Sequence, residues 1–365
     1  MSLIATQLQN RRVENPNLDR NMVRMGEYGA LDFFVAQTER PDGILNDRLK
    51  RVAYASMGNT VQVPVIDFDG SVNIANTRSC VIQDAENTSA LYTVVWETYA
   101  AGFTMVPGMY SNNEIDYNRD FNRKADKTFR AFADALDTAA VAALEAQKTQ
   151  VYTDPLQYTI SGNQIVIPQQ MATEILGDLN PLMRANGFRR QIHIIGNAGI
   201  DSLVGKLAQH GLYNDVNKQL EYAGKVFHFT NNVVNAGGDI GTFFAVEDGN
   251  VGILTRVDRE AYRRAAAAGH EFDQAYIPEL GITVGTHYYT SVGDQSGIAG
   301  AATADMTCAV KEYFGFSVDV AFVIAYNTDS TTIPDPIIKG GIAAPATDTP
   351  IAMPVYVTNA ADFPQ

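Results

Sequence analysis

The chain has 365 residues, 46% of them apolar, enough for a sizeable core in one elaborate fold or two lobes. Its formal net charge of -14 excludes a surface built to grip phosphate backbones, because that affinity comes from Lys and Arg displacing counterions. Cys80 and Cys308 are the only cysteines, so no disulfide framework is written and the reading is a reduced, intracellular compartment.

The N-terminus carries polar residues early and has no apolar core segment, unlike a secretory signal. The most apolar late run, Val318 to Tyr326, contains Asp319 and is far shorter than the roughly 20 residues of a membrane span. Up to about residue 25, Arg11, Arg12, Arg20 and Arg24 outnumber Glu14 and Asp19, and Pro16 breaks any long helix. Such a segment buries too little to fold alone. It is either a disordered tail or an arm ordered by a neighbouring subunit.

Glu27 to Thr38 reads as a short apolar segment, and Pro41-Asp42-Gly43 as a turn. Ile44 to Met57 reads as an amphipathic helix with Gly58 as its C-cap. Thr60 to Ile66 then alternates as a strand that Pro64 confines to a sheet edge. Asp67 to Gly70 is a turn, with Phe68 inside it, Ser71 to Gln83 is thin in large apolar residues and extended, and Asp84 to Ser89 is a polar loop. Leu91 to Val106 is a strand segment holding the single tryptophan, Trp96. Residues 58–106 therefore form a long extended excursion with too few core residues to be a domain.

Ser111-Asn-Asn-Glu114 is a capping box, and Glu114 and Asp116 sit where a helix dipole favours negative charge. Phe121, Ala125, Phe129, Phe132, Leu136, Ala139, Ala143 and Leu144 form one apolar stripe. Asp134, Asp137 and Glu145 are assigned to the solvated side, and Asp120–Lys124 and Asp126–Arg130 to i,i+4 pairs. No Pro or Gly interrupts residues 111–148, which predicts a rod roughly 55 Å long.

Residues 151–168 are irregular, with Ile165-Val-Ile167 as their strongest run. Helices are expected over Gln169–Leu179, Pro181–Gly187 and Ala198–His210. Strands are expected at Phe188–Ile195, Lys225–Phe229, Thr242–Val246 and Val251–Leu254, so residues 169–256 read as an α/β lobe. Arg256–Gly269 reads as a charged helix and Ile282–Val292 as a strand. Asp305–Tyr326 reads as a long strand or a hairpin near Phe314-Gly315-Phe316. Beyond Asn327 the prolines, from Pro334 to Pro364, predict an extended tail mostly outside the core.

Motifs for catalysis are missing. There is no phosphate-binding Gly-x-x-x-x-Gly-Lys-Ser/Thr, no His-Glu-x-x-His and no Gly-x-Ser-x-Gly. Ala236 to Gly241 lacks dinucleotide spacing and reads as a loop. The five histidines are scattered, and His193 and His228, in apolar strands, read as core or interface residues rather than ligands. Asp67-x-Asp69-Gly70 is read as a tight turn, not a calcium loop. No catalytic residue, cofactor or metal is assigned.

The order of elements (arm, extended excursion, one long helix, α/β lobe, long strands, Pro-rich tail) resembles the major capsid proteins of tailed bacteriophages, the HK97 fold. The resemblance covers most of residues 1–328 and implies an α+β fold. It places an N-terminal arm at 1–26, a first peripheral part at 27–57 and an E-loop hairpin at 58–106. The peripheral domain with its spine helix follows at 107–165, then an axial domain at 166–277, returning peripheral strands at 278–328 and a C-terminal tail at 329–365. It implies a structural protein rather than an enzyme, self-assembling into hexamers and pentamers of an icosahedral shell around packaged double-stranded DNA, without sequence-specific contact. Portal and possibly scaffold or decoration proteins are the further partners, membranes are not, and the location is the virion capsid, assembled in the host cytoplasm. The interface residues implied are Arg11, Arg12, Arg20 and Arg24 in the arm, Phe68 and Trp96 in the E-loop region, and axial loops near Gly211–Asp215 and Asn235–Gly241. An encapsulin-like cellular compartment is the alternative within the fold, and a soluble α/β enzyme the alternative outside it.

Overall fold

The computed structural model describes residues 3–14, 27–45, 47, 49–51, 60–66, 89–110, 113–148, 152, 154–207, 212–214, 219–222, 224–257, 270–292, 310–325 and 336–344. Among them a five-stranded sheet, an eight-stranded sheet and five α-helices enclose two main cores, and a two-stranded ribbon stands beside them.

The first sheet has five strands. β14 (Val310–Ile324) is its axis, fifteen residues long and unbroken at Gly315, so a single strand replaces the hairpin that the glycine left open. On one side β14 pairs with β3 (Glu97–Met105). On the other it pairs first with β13 (Ile282–Val292) and then with β11 (Val251–Arg256). β12 (Glu271–Ile277) closes the outer edge against β13. Helix α3 (Glu114–Ala146) packs against this sheet, with Phe121 edge-on to Phe103 and Phe314 and Phe129 edge-on to Phe316. Helices α1 (Leu3–Glu14) and α2 (Gly29–Thr38) complete this core.

Helix α3 starts two residues later than the capping-box reading places it. Asn113 caps it, its Oδ1 accepting from the Asp116 N–H at 3.3 Å, and Ser111 lies outside the described residues. The Asp120–Lys124 pair forms at 2.9 Å, whereas Asp126 turns to Arg11 of α1 rather than to Arg130.

The second sheet has eight strands in the order β4-β5-β15-β10-β6-β9-β8-β7. These are β4 (Thr159–Ser161), β5 (Gln164–Ile167), β6 (Ile192–Gly196), β7 (Leu212–Asn214), β8 (Gln219–Tyr222), β9 (Lys225–Phe229), β10 (Asp239–Glu247) and β15 (Ile337–Ala343). Helices α4 (Ile175–Ala185) and α5 (Ala198–Leu207) accompany it. α4 is one helix running through Pro181, where the sequence predicts two. Strand periodicity makes this sheet a wall shared by both cores. Along β10, Phe244 and Val246 join the core under α3, while Phe243 and Ala245 face α4 and α5.

Two expectations are corrected. Residues 337–343 are not tail: β15 is buried in the middle of the eight-stranded sheet, parallel to β5 and antiparallel to β10. Pro336 and Pro345 flank this stretch, and the seven residues 337–343 between them include no proline, so each has an N–H to give to a ladder. In addition β11 does not stay in the α/β lobe. The turn Glu247–Asn250 carries the chain from β10 into the other sheet. Of the charged helix expected at Arg256–Gly269, Arg256 instead ends β11, and residues 258–269 lie outside the described residues.

Candidate assembly surfaces

Helix α1 is attached to its own chain. Ile4, Leu8 and Arg11, at i, i+4 and i+7, are all buried. The Arg11 guanidinium reaches Asp126 of α3 and, at 2.6 Å, Glu279 Oε1 in the turn after β12, and it lies 5.1 Å from the centre of the Phe129 ring. Arg11 Nε and Glu279 Oε2 are buried without a hydrogen-bond partner. The early arginines thus do not share one role: Arg11 is internal, the Arg12 side chain is not described, and Arg20 and Arg24 lie outside the described residues.

A second attachment lies further along α3. Asp137 is fully buried, not solvated. Its Oδ1 accepts the Leu31 N–H at 2.9 Å, so α3 caps the first turn of α2 from across the core. Its Oδ2 accepts the Thr230 hydroxyl and, at 2.9 Å, the Asn232 amide. Burial pushes the Asp137 carboxyl up in spite of these donors. The sequence carried a signal for this burial. Asp137 falls at +4 from Ala133 and -3 from Ala140, in register with the buried face. Glu279 gives no such signal in its turn. Asp134 is exposed as expected.

Between the two sheets runs a third buried polar chain. His193 of β6 and His228 of β9 meet Nδ1 to Nε2 at 3.0 Å, stacked under Phe33. His193 Nε2 lies 3.2 Å from Asp248, which also takes Gln37 Nε2 at 2.7 Å and Arg40. Burial and the neighbouring His193 push His228 down to about 3, so it stays neutral. Burial would raise Asp248, but hydrogen bonds from His193 and Gln37 and the Arg40 charge hold it below the ordinary carboxylate value. These histidines are seam residues, and they cross-link α2, the turn between the sheets and the eight-stranded wall.

The excursion begins as a ribbon of β1 (Thr60–Ile66) and β2 (Ser89–Val95), antiparallel from Thr60↔Val95 to Ile66↔Ser89. β1 has no other strand partner among the described residues, which suits Pro64. β2 continues into β3 with only Trp96 between them. Trp96 is not on the ribbon's surface. It is buried at its root with Leu45, Leu49 and Leu254, under the Arg256 guanidinium at 4.5 Å. Asp319 ties this root together, accepting from Arg256 at 3.0 Å and from Thr98 at 2.7 Å. Phe68 lies outside the described residues.

Of the axial-loop residues, Gly211 and Asp215 also lie outside them. Asn235 Oδ1 accepts from Asn197 and, at 3.2 Å, from Thr242, so the base of its loop is tied to the start of α5. Gly241 is there for a close approach: a Cβ would lie 3.2 Å from Ile200 Cδ1. Val234, 78% exposed, projects from this loop. Met109, in the turn before α3, and Ile115, in its first turn, are exposed as well.

No group of three or more His, Cys, Asp or Glu able to hold a metal ion occurs among the described residues, and none of the described helices is long and apolar enough to cross a membrane. No protein-family model and no curated protein matches the chain. Among solved structures, a chain from Mycobacterium phage Che8 is 11% identical with a TM-score of 0.44, covering 81% of this chain and 89% of that one. A chain of the capsid asymmetric unit of cyanophage Pam1 is 11% identical with a TM-score of 0.45, covering 84% and 92%. One from the capsid of cyanophage P-SCSP1u is 11% identical with a TM-score of 0.43, covering 80% and 85%. At these values no residue role transfers from one chain to another.

Proposed function

We propose that this chain is the major capsid protein of a tailed bacteriophage, an HK97-type shell subunit that assembles into the hexamers and pentamers of an icosahedral capsid around double-stranded DNA. The observation that carries the reading is the ribbon β1–β2. It is rooted by a buried tryptophan in the sheet under a 33-residue helix, yet finds no third strand in its own chain among the described residues. A two-stranded ribbon is marginal alone and gains stability from a partner surface. In a shell that surface is a neighbouring subunit, and many modest contacts over large areas replace any single pocket. The formal net charge of -14 suits an inner wall that leaves packed DNA mobile.

On this reading the segment carrying Arg12, Arg20 and Arg24 reaches a neighbour, the ribbon beyond Ile66 with Phe68 lies over an adjacent subunit, and the loops near Gly211–Asp215 and Asn235–Gly241 meet at capsomer centres. Portal and scaffold or decoration proteins are the further partners, and assembly takes place in the host cytoplasm. The test is negative-stain electron microscopy of the purified chain, alone and coexpressed with the genes beside its own. Hollow icosahedral particles, or rings of five and six, support the reading. Monodisperse monomers in every such coexpression overturn it. Shells that form only around an encoded cargo protein, with no portal, indicate a cellular compartment instead.

A further inference from the structure

The connection from β9 to β10 presents two bare apolar side chains, and the fold fixes each of them there by a different device. Val234 is 78% exposed and Ile240 is 41% exposed. The residues on both sides of Val234 are tied down. Val233 is buried in the core under α3, and its carbonyl oxygen accepts the Asn197 amide at 3.3 Å. Asn235 Oδ1 accepts from the same Asn197 amide and from the Thr242 hydroxyl. Asn197 is itself buried, and its Oδ1 accepts the N–H groups of Gly199 and Thr242, each at 3.2 Å. One buried amide therefore brackets Val234, and the valine cannot turn inward without breaking that bracket. At Ile240 the device is a β-bulge. Asp239 is opposite Ala343 and Gly241 is opposite Ile342, so Ile240 is the extra residue between them. A bulge re-aims a side chain, here toward solvent.

We infer that Val234, with Ile240 at the base of the same loop, is a self-association contact whose partner is the corresponding loop of a second copy of this chain. The inference rests on the shell reading above and deepens it by naming the side chains that meet. Charge identifies the partner. At a formal net charge of -14, two copies repel as wholes. Residues 230–238 hold no Asp, Glu, Lys or Arg, and the carboxylate that follows them, Asp239, accepts from Gln164 Nε2 at 2.9 Å. Identical loops can therefore meet here without setting like charges against each other, which costs several kcal/mol elsewhere. A strongly charged partner would find nothing to pair with. At Gly237 an added Cβ would meet nothing within 4 Å, so a neighbour's side chain can come down to the backbone. A projecting valine and an open stretch of backbone on one loop suit a head-to-tail contact, the kind that closes into rings. The bracket at Asn197 fixes the loop beforehand, which lessens the ordering that association demands.

The experiment places one reporter thiol on the full-length chain. Cys80→Ser and Cys308→Ser remove the native thiols, and Val234→Cys supplies a new one. A short bismaleimide is expected to join folded subunits into covalent dimers, with the same chain unfolded in urea as the collision background. In parallel, light scattering follows association of the parent, of Val234→Ser and of Val234→Ile. Val234→Ser should raise the concentration needed for association by about tenfold or more, whereas Val234→Ile should associate as the parent does. Circular dichroism checks that each variant melts with the parent, as an exposed position allows. Cross-linking no higher than the background overturns the inference, and so does association that Val234→Ser leaves undiminished. Where rings or shells still form in those cases, the shell reading stands and this contact alone falls. A chain that never associates, alone or with the products of its neighbouring genes, removes both.

Discussion

Helix α3 holds two neighbouring helices through carboxylates, α2 through the buried Asp137 and α1 through the part-exposed Asp126 beside the buried Glu279, and it does so in two different ways. At Asp137 each oxygen is engaged, by the backbone of α2 and by Thr230 and Asn232 after β9. At Arg11 one guanidinium meets two carboxylates, Asp126 and Glu279, and Arg11 Nε and Glu279 Oε2 remain unpaired in the interior. A buried charge is tolerated when its hydrogen bonds are complete and is costly when they are not. The difference therefore separates a permanent joint from a releasable strap. Charge and burial alone do not make that distinction.

The sharpest way to break this comparison is Asp137→Ala. It strands the Leu31 N–H, the Thr230 hydroxyl and the Asn232 amide together, and should lower the unfolding free energy by about 3–5 kcal/mol. Urea denaturation of the unassembled chain measures it, and a loss under about 1 kcal/mol would remove the joint from the account. Gly29→Ala attacks the same joint from the other side. A Cβ there would lie 2.5 Å from the Phe229 carbonyl oxygen, where the start of α2 lies on β9. The expected loss is about 1–3 kcal/mol by the same measurement.

Arg11→Met should behave differently. The strap can lift and leave Glu279 to water, so the expected global loss is only about 1–2 kcal/mol. The larger effect should be faster proteolysis within residues 3–14 while the remainder resists. A loss equal to that of Asp137→Ala would show that α1 is part of the frame.

The smallest effects concern pH, and their signs are opposite at two carboxylates in the C-terminal third of α3. Asp137 is held above its ordinary value, so its contribution is fully present below that ordinary value and is lost as pH rises through the raised one. Glu145 is the reverse. Burial would raise it, but Lys148 and Lys339 outweigh burial and hold it below its ordinary value. Its contribution is present above the ordinary value and is lost as pH falls through the lowered one. Asp137→Asn should flatten the decline with rising pH, and Glu145→Gln should flatten the acid limb by about 0.5 kcal/mol, in urea titrations between pH 3 and 7.

How much of this was legible beforehand depended on how local each signal is. The stripe from Phe121 to Leu144 specified α3 because a helix buries one face whatever lies opposite. Its cap was misplaced by two residues because Ser111 and Asn113 are both good caps and only the surrounding turn chooses between them. Asp137 was assigned to solvent by residue type although its position matched the buried face. β15 was hidden because its prolines lie beside it, not in it, and because its partners β5 and β10 are far away in sequence. Trp96 is expected at a subunit interface but is buried within its own chain, and the Arg256 and Asp319 that anchor it come from strands whose pairing no local pattern announces. Of the arm, only Arg11 can be judged, and its three-way contact joins segments more than a hundred residues apart.

The place of β15 has a consequence for the chain as it is being made. Among the described residues, β4 and β5 reach the other strands of their sheet only through residues 337–343. The ribosome delivers those residues after every other strand described. Until they emerge, the wall shared by the two cores has a gap in its middle, and the inner edge of β10 is bare. A nascent or prematurely ended chain therefore offers an open strand edge instead of a finished subunit. Emergence of residues 337–343 thus acts as a checkpoint, leaving the eight-stranded wall unfinished until the last of the described strands has been threaded between the others.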